Sequence, residues 1–301
     1  MTSVRAAVQL LVFPGLGYAV AAGFLMEWMQ RKINARLQGR LGPPFYQPFF
    51  DVVKLLGKRP VERPPLQGLM MTALPAGAVV ATLGAVALLP VVPSGGGFAG
   101  DLVLLVGLIE LGPLLLVLGG FASRSLWGGL GASREAIMTA AYNLPFLTAL
   151  IALAHSSGLS LNGAALEGSW PVRVLALLAI LICLPAKLHL NPFSIAGAEQ
   201  EIYAGATTEY DGPRLAMWEL AHSLEWVALV GLVAALSLPV TGLGWPVRVL
   251  VFLGLSLLVV VLLSATAAAT ARLKLAQTAR WFWLWALVPA ASALVLAYAG
   301  I

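Results

Sequence analysis

Charged residues are scarce in this sequence of 301 residues. Asp, Glu, Lys and Arg together make up 10% of the chain, and hydrophobic residues make up 60%; soluble domains contain about 25% charged residues. The mean hydropathy is +0.91, and no hydrophilic segment is long enough to form a soluble domain. The composition therefore excludes a water-soluble globular protein and indicates an integral membrane protein.

Cysteine is nearly absent as well. The single Cys183 lies in an apolar run, so the chain has no disulfide framework and no cysteine-based metal site of its own. Low-complexity tracts and internal repeats of about 20–50 residues are also missing. Residues 1–301 are therefore predicted to form a single membrane domain.

Apolar runs take up most of the chain. A helix needs about 17–25 predominantly apolar residues to cross about 30 Å of hydrocarbon, and eight runs are long enough. They lie near residues 5–27, 66–92, 100–122, 134–155, 171–190, 215–239, 246–269 and 280–300. The predicted fold class is an all-α integral membrane protein with eight transmembrane helices.

The basic residues are distributed unevenly between the connecting segments. Of the 18 lysines and arginines, 15 follow odd-numbered runs, Lys187 among them, and only Arg5, Arg173 and Arg248 lie on the other side. Cytoplasmic loops carry the excess of Lys and Arg, so we predict a multi-pass plasma-membrane protein with cytoplasmic basic loops and both termini outside. A secretory leader over residues 1–27 is the alternative, but the basic cluster that follows this run favours a first membrane helix.

The first predicted cytoplasmic loop, residues 28–65, opens with a basic cluster. Its stretch RKINARLQGRLGPPF ends at a Gly-Pro-Pro break and holds four basic residues, Arg31, Lys32, Arg36 and Arg40. The next stretch, PPFYQPFFDVVKLLGK, places apolar side chains such as Phe49 and Val52 on one helical face, apart from Asp51 and Lys54. We predict a short amphipathic helix at the membrane interface; an ordinary loop with aromatic anchors is the alternative.

The second predicted cytoplasmic loop, residues 188–214, concentrates acids. Four of the 13 acidic residues lie in it, Glu199, Glu201, Glu209 and Asp211. Acids contribute little to membrane orientation, so topology does not explain them. Two interpretations stay open: a solvated loop whose acids form ion pairs with the basic residues of the first loop, or a functional segment.

Several acids fall at or inside the predicted membrane helices. An ionised side chain near mid-bilayer costs about 2.5–3.5 kcal/mol or more, so it normally faces a polar interior or a partner. Glu110 stands in an otherwise apolar run and therefore needs a partner within the membrane. Glu27 and Glu135 lie at helix boundaries, where such a partner is also expected.

Glu219, His222 and Glu225 are spaced by three residues in the sixth run. On a helix this spacing makes His222 a neighbour of both glutamates, so we predict a proton relay there. Interfacial polar groups that a neighbouring subunit satisfies are the alternative. Of the other histidines, His189 falls at a helix end, where a capping role is expected, and His155 is expected in an outer loop.

Three motifs together resemble one family. QRKINARLQGRLGPPFYQPFFDVVKLLGK resembles the first cytoplasmic loop of the H subunit of NADH-quinone oxidoreductase (respiratory complex I) and of the homologous membrane subunit of energy-converting, group 4 NiFe hydrogenases. NPFSIAGAEQEIYAGATTEYDG is similar to the family's loop between the fifth and sixth helices, and GASREAIMTAAYN to its fourth-helix entry. The GPP and GASRE segments and the short length resemble the hydrogenase branch.

The resemblance implies a non-catalytic membrane subunit that links electron transfer in a peripheral iron–sulfur arm to proton or sodium translocation. The alternative is the quinone-binding H subunit of a respiratory NADH-quinone oxidoreductase. No cofactor or metal is expected on this chain: iron–sulfur clusters, with a NiFe centre or a flavin, would lie in partner subunits, and quinone is a candidate ligand. The implied partners are peripheral hydrogenase-like or quinone-reductase-like subunits, antiporter-like membrane subunits and the lipid bilayer, with no nucleic acid.

The resemblance and the intramembrane acids together suggest two sets of site residues. The predicted coupling or proton path comprises Glu110, Glu135, Tyr142, Glu199, Glu201, Glu209, Glu219, His222 and Glu225. The residues expected to dock the peripheral arm or line a cavity beside it are Arg31, Lys32, Arg36, Arg40, Arg134 and Tyr210.

The sequence departs from the family pattern at five positions where an acid is usual, namely Gln30, Asn143, Ser194, Gly197 and His222. None of these residues can carry a negative charge, so an ion path through this chain would have to be rerouted through Glu110, Glu135, Glu219 and Glu225. A stand-alone secondary transporter is a third interpretation, but the paired Gly/Pro-broken helices of inverted halves that it predicts are not evident.

Overall fold

A computed structural model describes residues 16–89, 101–155, 159–160, 169–197, 201, 204–237 and 245–300. Among these residues the chain forms helices joined by short connections and no strand. The helices are α1 Leu16–Leu37, α2 Gln47–Leu56, α3 Pro65–Ala87, α4 Asp101–Ala122, α5 Leu126–Ala154, α6 Trp170–Lys187, α7 Gly212–Ser237, α8 Trp245–Ala269, α9 Leu275–Trp281 and α10 Leu287–Ala299. A 3-10 turn covers Gly205–Thr207, and a π-helical segment, Phe282–Ala286, joins α9 to α10.

Seven helices of the described residues are long and apolar enough to cross a membrane. They are α3, α4, α5, α6, α7, α8 and the continuous stretch from α9 through α10. Helix α1 is an eighth long helix of 22 residues, but its second half carries Arg31, Lys32 and Arg36. The predicted all-α, multi-pass membrane fold is therefore confirmed, and the helix count is close to the predicted eight.

Helix α1 continues past residue 27, where the prediction ended the first run, to Leu37. The predicted boundary is wrong because hydropathy falls where the charges begin, whereas the helical backbone continues until Gly39 adopts a left-handed φ of +74°. Most of the basic cluster therefore lies on a helix rather than in a loop. Arg36 in the last turn is favourably placed near the negative end of the helix dipole.

The predicted amphipathic helix is present as α2. Its buried Val52 packs with Phe24 of α1 and Ala216 of α7, and the Phe49 ring meets Phe24 edge-on with centroids 6.1 Å apart. Other aromatic side chains of this segment, such as Phe50, are exposed. An amphipathic helix held on one side with exposed rings on the other suits a membrane interface, and the interfacial position stays a prediction.

Helix α7 is the centre of the bundle. Every residue from Leu224 to Leu236 is buried, and α7 packs against α1, α2, α3, α4, α6 and α8. A helix that is apolar and buried all round belongs in a core. Helix α10 packs on another side, against α5 and α6. Polar residues on α7 therefore face neighbouring helices instead of lipid.

Prolines lie in the interiors of helices α3 to α6. They are Pro75 in α3, Pro113 in α4, Pro145 in α5 and Pro185 in α6. A proline inside a helix removes one backbone hydrogen bond and bends the helix. Pro113, Pro145 and Pro185 lie within one turn of Glu110, Asn143 and Lys187, respectively, so the polar groups of the interior are placed where the helical backbone is already irregular.

Candidate functional site

A cavity of about 220 Å³ lies between α3, α4, α5 and α7, beneath the turns that precede α7. We call it the acid cavity. Its titratable lining residues are Glu135, His189, Glu219, His222 and Glu225, and the other lining residues are mostly small or apolar. The cavity brings together four of the residues predicted for the ion path, from two different helices.

His222 is the central group on α7. Its Nδ1 lies 3.7 Å from Glu225 Oε2, and the indole N–H of Trp226 donates a hydrogen bond to its Nε2 over 3.3 Å. Because Nε2 accepts that hydrogen bond, the proton of the neutral ring lies on Nδ1, on the side of Glu225. Glu219, one turn earlier, lines the same cavity, so the predicted trio shares one polar space.

His189 meets Glu135 within this cavity. Glu135 is buried, and its Oε2 lies 3.1 Å from His189 Nε2. His189 follows α6 with a φ of +53°, a left-handed conformation in which histidine is enriched. The expectation that His189 only caps a helix is wrong, since it binds a carboxylate on another helix. Its ring lies 5.8 Å from that of His222, so titratable side chains lie next to one another from α5 to α7.

The His189–Glu135 pair should make stability depend on pH. Burial alone would lower the pKa of His189, but the charge of Glu135, their hydrogen bond and the charge of Glu225 together raise that pKa from 6.5 to about 9. A folded-state pKa above the unfolded one stabilises the protein fully below about pH 6.5, and this contribution is lost as the pH rises through about 9. The unfolding temperature of the purified protein should fall over this window, and the fall should be smaller for a His189→Gln variant. An equally steep fall in the variant would contradict the assignment.

Glu110 has its partner inside the bundle. Lys187 Nζ lies 2.5 Å from Glu110 Oε1, and the Lys187 side chain is completely buried. Asn143 donates from Nδ2 to Glu110 Oε2 over 2.6 Å and accepts from Lys187 Nζ over 3.1 Å. The sequence predicts the need for such a partner but counts Lys187 among the cytoplasmic loop charges. That count is wrong for Lys187, because it lies in the last turn of α6 and is buried against Glu110.

Thr139 and Tyr142 connect the acid cavity to Glu110. Thr139 Oγ1 lies 3.4 Å from Glu135 Oε1 and 3.1 Å from the Tyr142 hydroxyl. Lys187 Nζ lies 4.7 Å from the centre of the Tyr142 ring, within the range of a cation–π interaction. A chain of polar side chains therefore runs along α5 from the acid cavity to the Glu110–Lys187 pair, and it includes the predicted Tyr142.

A third polar group lies between α1, α2 and α7. Glu27 forms an ion pair with Arg31 one turn later, and it accepts a hydrogen bond from Ser223 over 2.6 Å. Arg31 also lies 3.3 Å from Asp51 of α2. The positive charge of Arg31 is thus balanced within the chain, whereas Arg36 and Arg40 are exposed.

The acidic loop pairs with basic residues from two other parts of the chain. Glu209 lies 3.1 Å from Arg63 of the first loop, and Glu201 lies 2.6 Å from Arg134 of α5. The ion-pair interpretation therefore holds for Glu209. Glu201 instead pairs with Arg134, which the sequence predicts at the entry of the fourth membrane helix and not in the first loop.

Other predicted residues of these two loops have different surroundings. Tyr210 is buried with its ring against Trp218, and Glu199 lies outside the described residues. In the described part of the chain, Lys32, Arg36 and Arg40 form no ion pair with the acidic loop. Their role in docking a partner stays a prediction.

A second cavity, of about 310 Å³, lies on another side of His189. We call it the vestibule. Its lining is mostly polar and comprises Gln30, Asn34, His189, Leu190, Asn191, Ser194, Gly197, Ala267 and Arg272. Of the residues that the structure describes, His189 and Gly197 line both cavities. Within the described ranges, no group of three or more His, Cys, Asp or Glu side chains could hold a metal ion.

Sequence comparison establishes the family. The NADH dehydrogenase family model matches residues 8–298. This chain belongs to the NADH dehydrogenase family. Hydrogenase-4 component C of Escherichia coli (strain K12) is 33% identical to this family member over 225 residues, which cover 71% of this chain and 70% of the relative. The H 1 subunit of the NADH-quinone oxidoreductase of Koribacter versatilis (strain Ellin345) is 27% identical over 268 residues, which cover 80% of this chain and 61% of the relative's length.

The fold of this NADH dehydrogenase family member is similar to that of a solved structure. A chain of the membrane-bound sulfane sulfur reductase, an archaeal respiratory membrane complex, matches with a TM-score of 0.85 at 27% identity. The match covers 98% of this chain and 99% of the other. The predicted resemblance to complex I and hydrogenase membrane subunits is therefore confirmed.

The five positions at which this family member lacks an expected acid lie close to the polar groups described above. Gln30, Ser194 and Gly197 line the vestibule, His222 lines the acid cavity, and Asn143 binds Glu110 and Lys187. The replacements therefore change the charge of the same network to which the remaining acids belong.

Proposed function

We propose that this chain is the membrane anchor and coupling subunit of a hydrogenase-type, complex I-like oxidoreductase, which links electron transfer in a peripheral arm to proton or sodium translocation. The observation that carries the proposal is the acid cavity, where five titratable side chains share one space inside a membrane domain. Ionisable groups inside a membrane are costly, and they mark ion pathways. The cavity is therefore the best candidate for the coupling element of this chain.

The proposed path has three connected parts. It links Glu27 and Glu219 near α2 to His222, Glu225, His189 and Glu135 in the acid cavity, and these to Glu110 and Lys187 by way of Thr139 and Tyr142. Its members lie on α1, α4, α5, α6 and α7 and on the turn after α6. A path built from several helices can respond to a shift of any one of them, as coupling to a docked arm requires.

The redox chemistry is assigned to partner subunits. The relatives are named as a component of hydrogenase-4 and a subunit of NADH-quinone oxidoreductase. We propose that iron–sulfur clusters, with a NiFe centre or a flavin, lie in a peripheral subunit beside the exposed Arg36 and Arg40 and the acidic loop. Antiporter-like membrane subunits would complete the ion path next to Glu110, whose side chain is 19% exposed.

A quinone site is the second candidate, favoured by the apolar part of the acid-cavity lining and by the similarity to a quinone oxidoreductase subunit. Ligand pockets usually measure about 300–1,000 Å³, whereas the acid cavity has about 220 Å³. A proton relay therefore fits the cavity better than a quinone ring. Quinone extracted in stoichiometric amount from the purified complex would favour the second candidate.

The proposal predicts that Glu219→Gln and Glu135→Gln uncouple the complex. Glutamine keeps the size of the side chain but carries no proton, and loss of an acid–base group slows proton transfer by about 10²–10⁴-fold where that transfer limits the rate. We expect ion translocation to fall at least about tenfold, with electron transfer in the peripheral arm largely intact. Membrane vesicles energised with hydrogen or NADH allow both rates to be measured, with a pH-sensitive dye and radioactive sodium as the two ion probes.

The matched control is Glu62→Gln, which removes an exposed acid of the linker before α3. This variant should translocate ions as the wild type does. Unchanged translocation in both cavity variants would overturn the proposed path.

A further inference from the structure

The vestibule and the acid cavity meet at one titratable side chain. Of the residues that line both spaces, Gly197 has no side chain, and His189 has an imidazole. Within this described lining, a proton that passes between the two cavities therefore has one titratable group on which to stop. Imidazole can accept a proton on one nitrogen and release another from the second nitrogen, which makes it suitable for such a transfer.

The vestibule resembles a water-filled entrance more than a ligand pocket. Its described lining includes the amides of Gln30, Asn34 and Asn191, the hydroxyl of Ser194 and the guanidinium of Arg272, and none of these lining residues is a carboxylate. The Oδ1 atom of Asn34 is buried and has no hydrogen-bond partner among the described residues, so a water in the vestibule is its natural partner. The space can therefore hold water, and among its described lining residues His189 is the one that can act as an acid or a base at neutral pH.

On its inner side His189 is in contact with an acceptor. Its Nε2 lies 3.1 Å from Glu135 Oε2, which is hydrogen-bond distance, and its ring lies 5.8 Å from His222. The titratable or charged groups around it are Glu135 from α5, His222 and Glu225 from α7 and Arg272 from the turn before α9. The left-handed backbone at His189 places the residue at the end of α6, between the two spaces.

We propose that His189 is the proton-entry residue of this chain, transferring protons from water in the vestibule to Glu135 in the acid cavity. In the resting imidazolium both ring nitrogens carry a proton: the one opposite Glu135 comes from a hydronium ion of the vestibule, which leaves as water, and the other lies on Nε2. The Nε2–H bond then breaks, and its proton forms the O–H bond of a neutral Glu135 carboxyl group. The ring is left neutral, and uptake of one proton from vestibule water, with exchange between its two nitrogens, restores the imidazolium for the next transfer.

This inference rests on the proposed function, because entry matters only if ions move through the chain. It adds a residue that is not among those predicted from the sequence for the path. It also assigns a direction: the vestibule is formed by the end of α1, the turn after α6 and the end of α8, on the side that the charge distribution predicts to be cytoplasmic.

The test compares His189→Gln, His189→Ala and a matched control, His155→Gln, in the intact complex in vesicles. His155 lies outside both cavities and its ring packs on Tyr298 with centroids 4.0 Å apart. We expect His189→Gln, which can still hydrogen-bond to Glu135, to lower proton translocation at least about tenfold with electron transfer largely intact, and His155→Gln to translocate normally. Imidazole added to the medium should restore translocation to His189→Ala, because the vestibule gives it access to the vacated position.

Three results would overturn the inference. Normal proton translocation by His189→Gln, together with loss in Glu219→Gln, would remove His189 from the path and leave the proposed function standing. Normal translocation by His189→Gln, Glu219→Gln and Glu135→Gln alike would remove the proposed function as well. Loss of translocation in His189→Ala that imidazole does not restore would reduce His189 to a residue that only positions Glu135.

Discussion

A Lys187→Met variant should lower the free energy of unfolding by about 3–5 kcal/mol, the cost of removing one partner of a buried ion pair. Methionine has a similar length and fits an apolar environment, so the loss would come from the charge and not from volume. Lys187 is completely buried, and its Nζ lies 2.5 Å from Glu110 and 3.1 Å from the Asn143 carbonyl oxygen. Without it, the Glu110 carboxylate inside the bundle would retain, among the described residues, Asn143 as its one neighbouring donor.

The double variant Glu110→Leu/Lys187→Met tests whether Lys187 stabilises the protein through its ion pair with Glu110. Replacing both partners by apolar side chains is often neutral or even stabilising, so the double variant should recover most of the lost stability. Lys54→Met, at an exposed position on α2, is the control and should have little effect. Unfolding by SDS in detergent solution compares the stabilities of the wild type, Lys187→Met, the double variant and Lys54→Met. A double variant as unstable as Lys187→Met would show that Lys187 does not act through Glu110.

The Lys187–Glu110 pair also shows how far the sequence alone could predict the site. A lone carboxylate in an apolar run must have a partner, and this physical requirement could be read from residues 102–118. The identity of the partner could not, since Lys187 is 77 residues away and looks like an ordinary basic helix end. Helix packing, not local sequence, brings the two charges together.

The proximity of Glu219, His222 and Glu225 on α7 could be predicted, because it follows from local sequence and not from helix packing. Residues three apart on one helix are neighbours wherever the helix lies, so the proximity of His222 to Glu225 follows from spacing alone. The His189–Glu135 pair has no such local rule, because it depends on a left-handed residue after α6 and on the contact between α5 and α6. Periodicity and composition therefore predict the membrane fold and contacts within a helix, whereas contacts between helices need the structure.

A Gly131→Val variant should lower stability by at least about 3 kcal/mol, the upper part of the range for overpacking. A Cβ atom at Gly131 on α5 would lie 2.5 Å from the carbonyl carbon of Gly205 and closer still to the backbone nitrogen of Ala206. Both are backbone atoms, so a side chain rotation cannot relieve the overlap. The 3-10 turn would have to move away from α5, although Gly205 is held at a φ of +62° against the carbonyl of Ala196.

The matched control is Gly129→Val, two residues earlier on the same helix, where an added Cβ atom meets nothing within 4 Å. Both variants replace a helical glycine by the same β-branched residue, so helix propensity contributes equally to each, and only the contact with the turn differs. Because Ala206 and Thr207 of the turn line the acid cavity, Gly131→Val should lose ion translocation together with stability, while Gly129→Val should retain both. Equal stability of the two variants in SDS unfolding would mean that the turn can move away from α5 at little cost in free energy. The close contact between the turn and α5 would then not be needed for the coupling path.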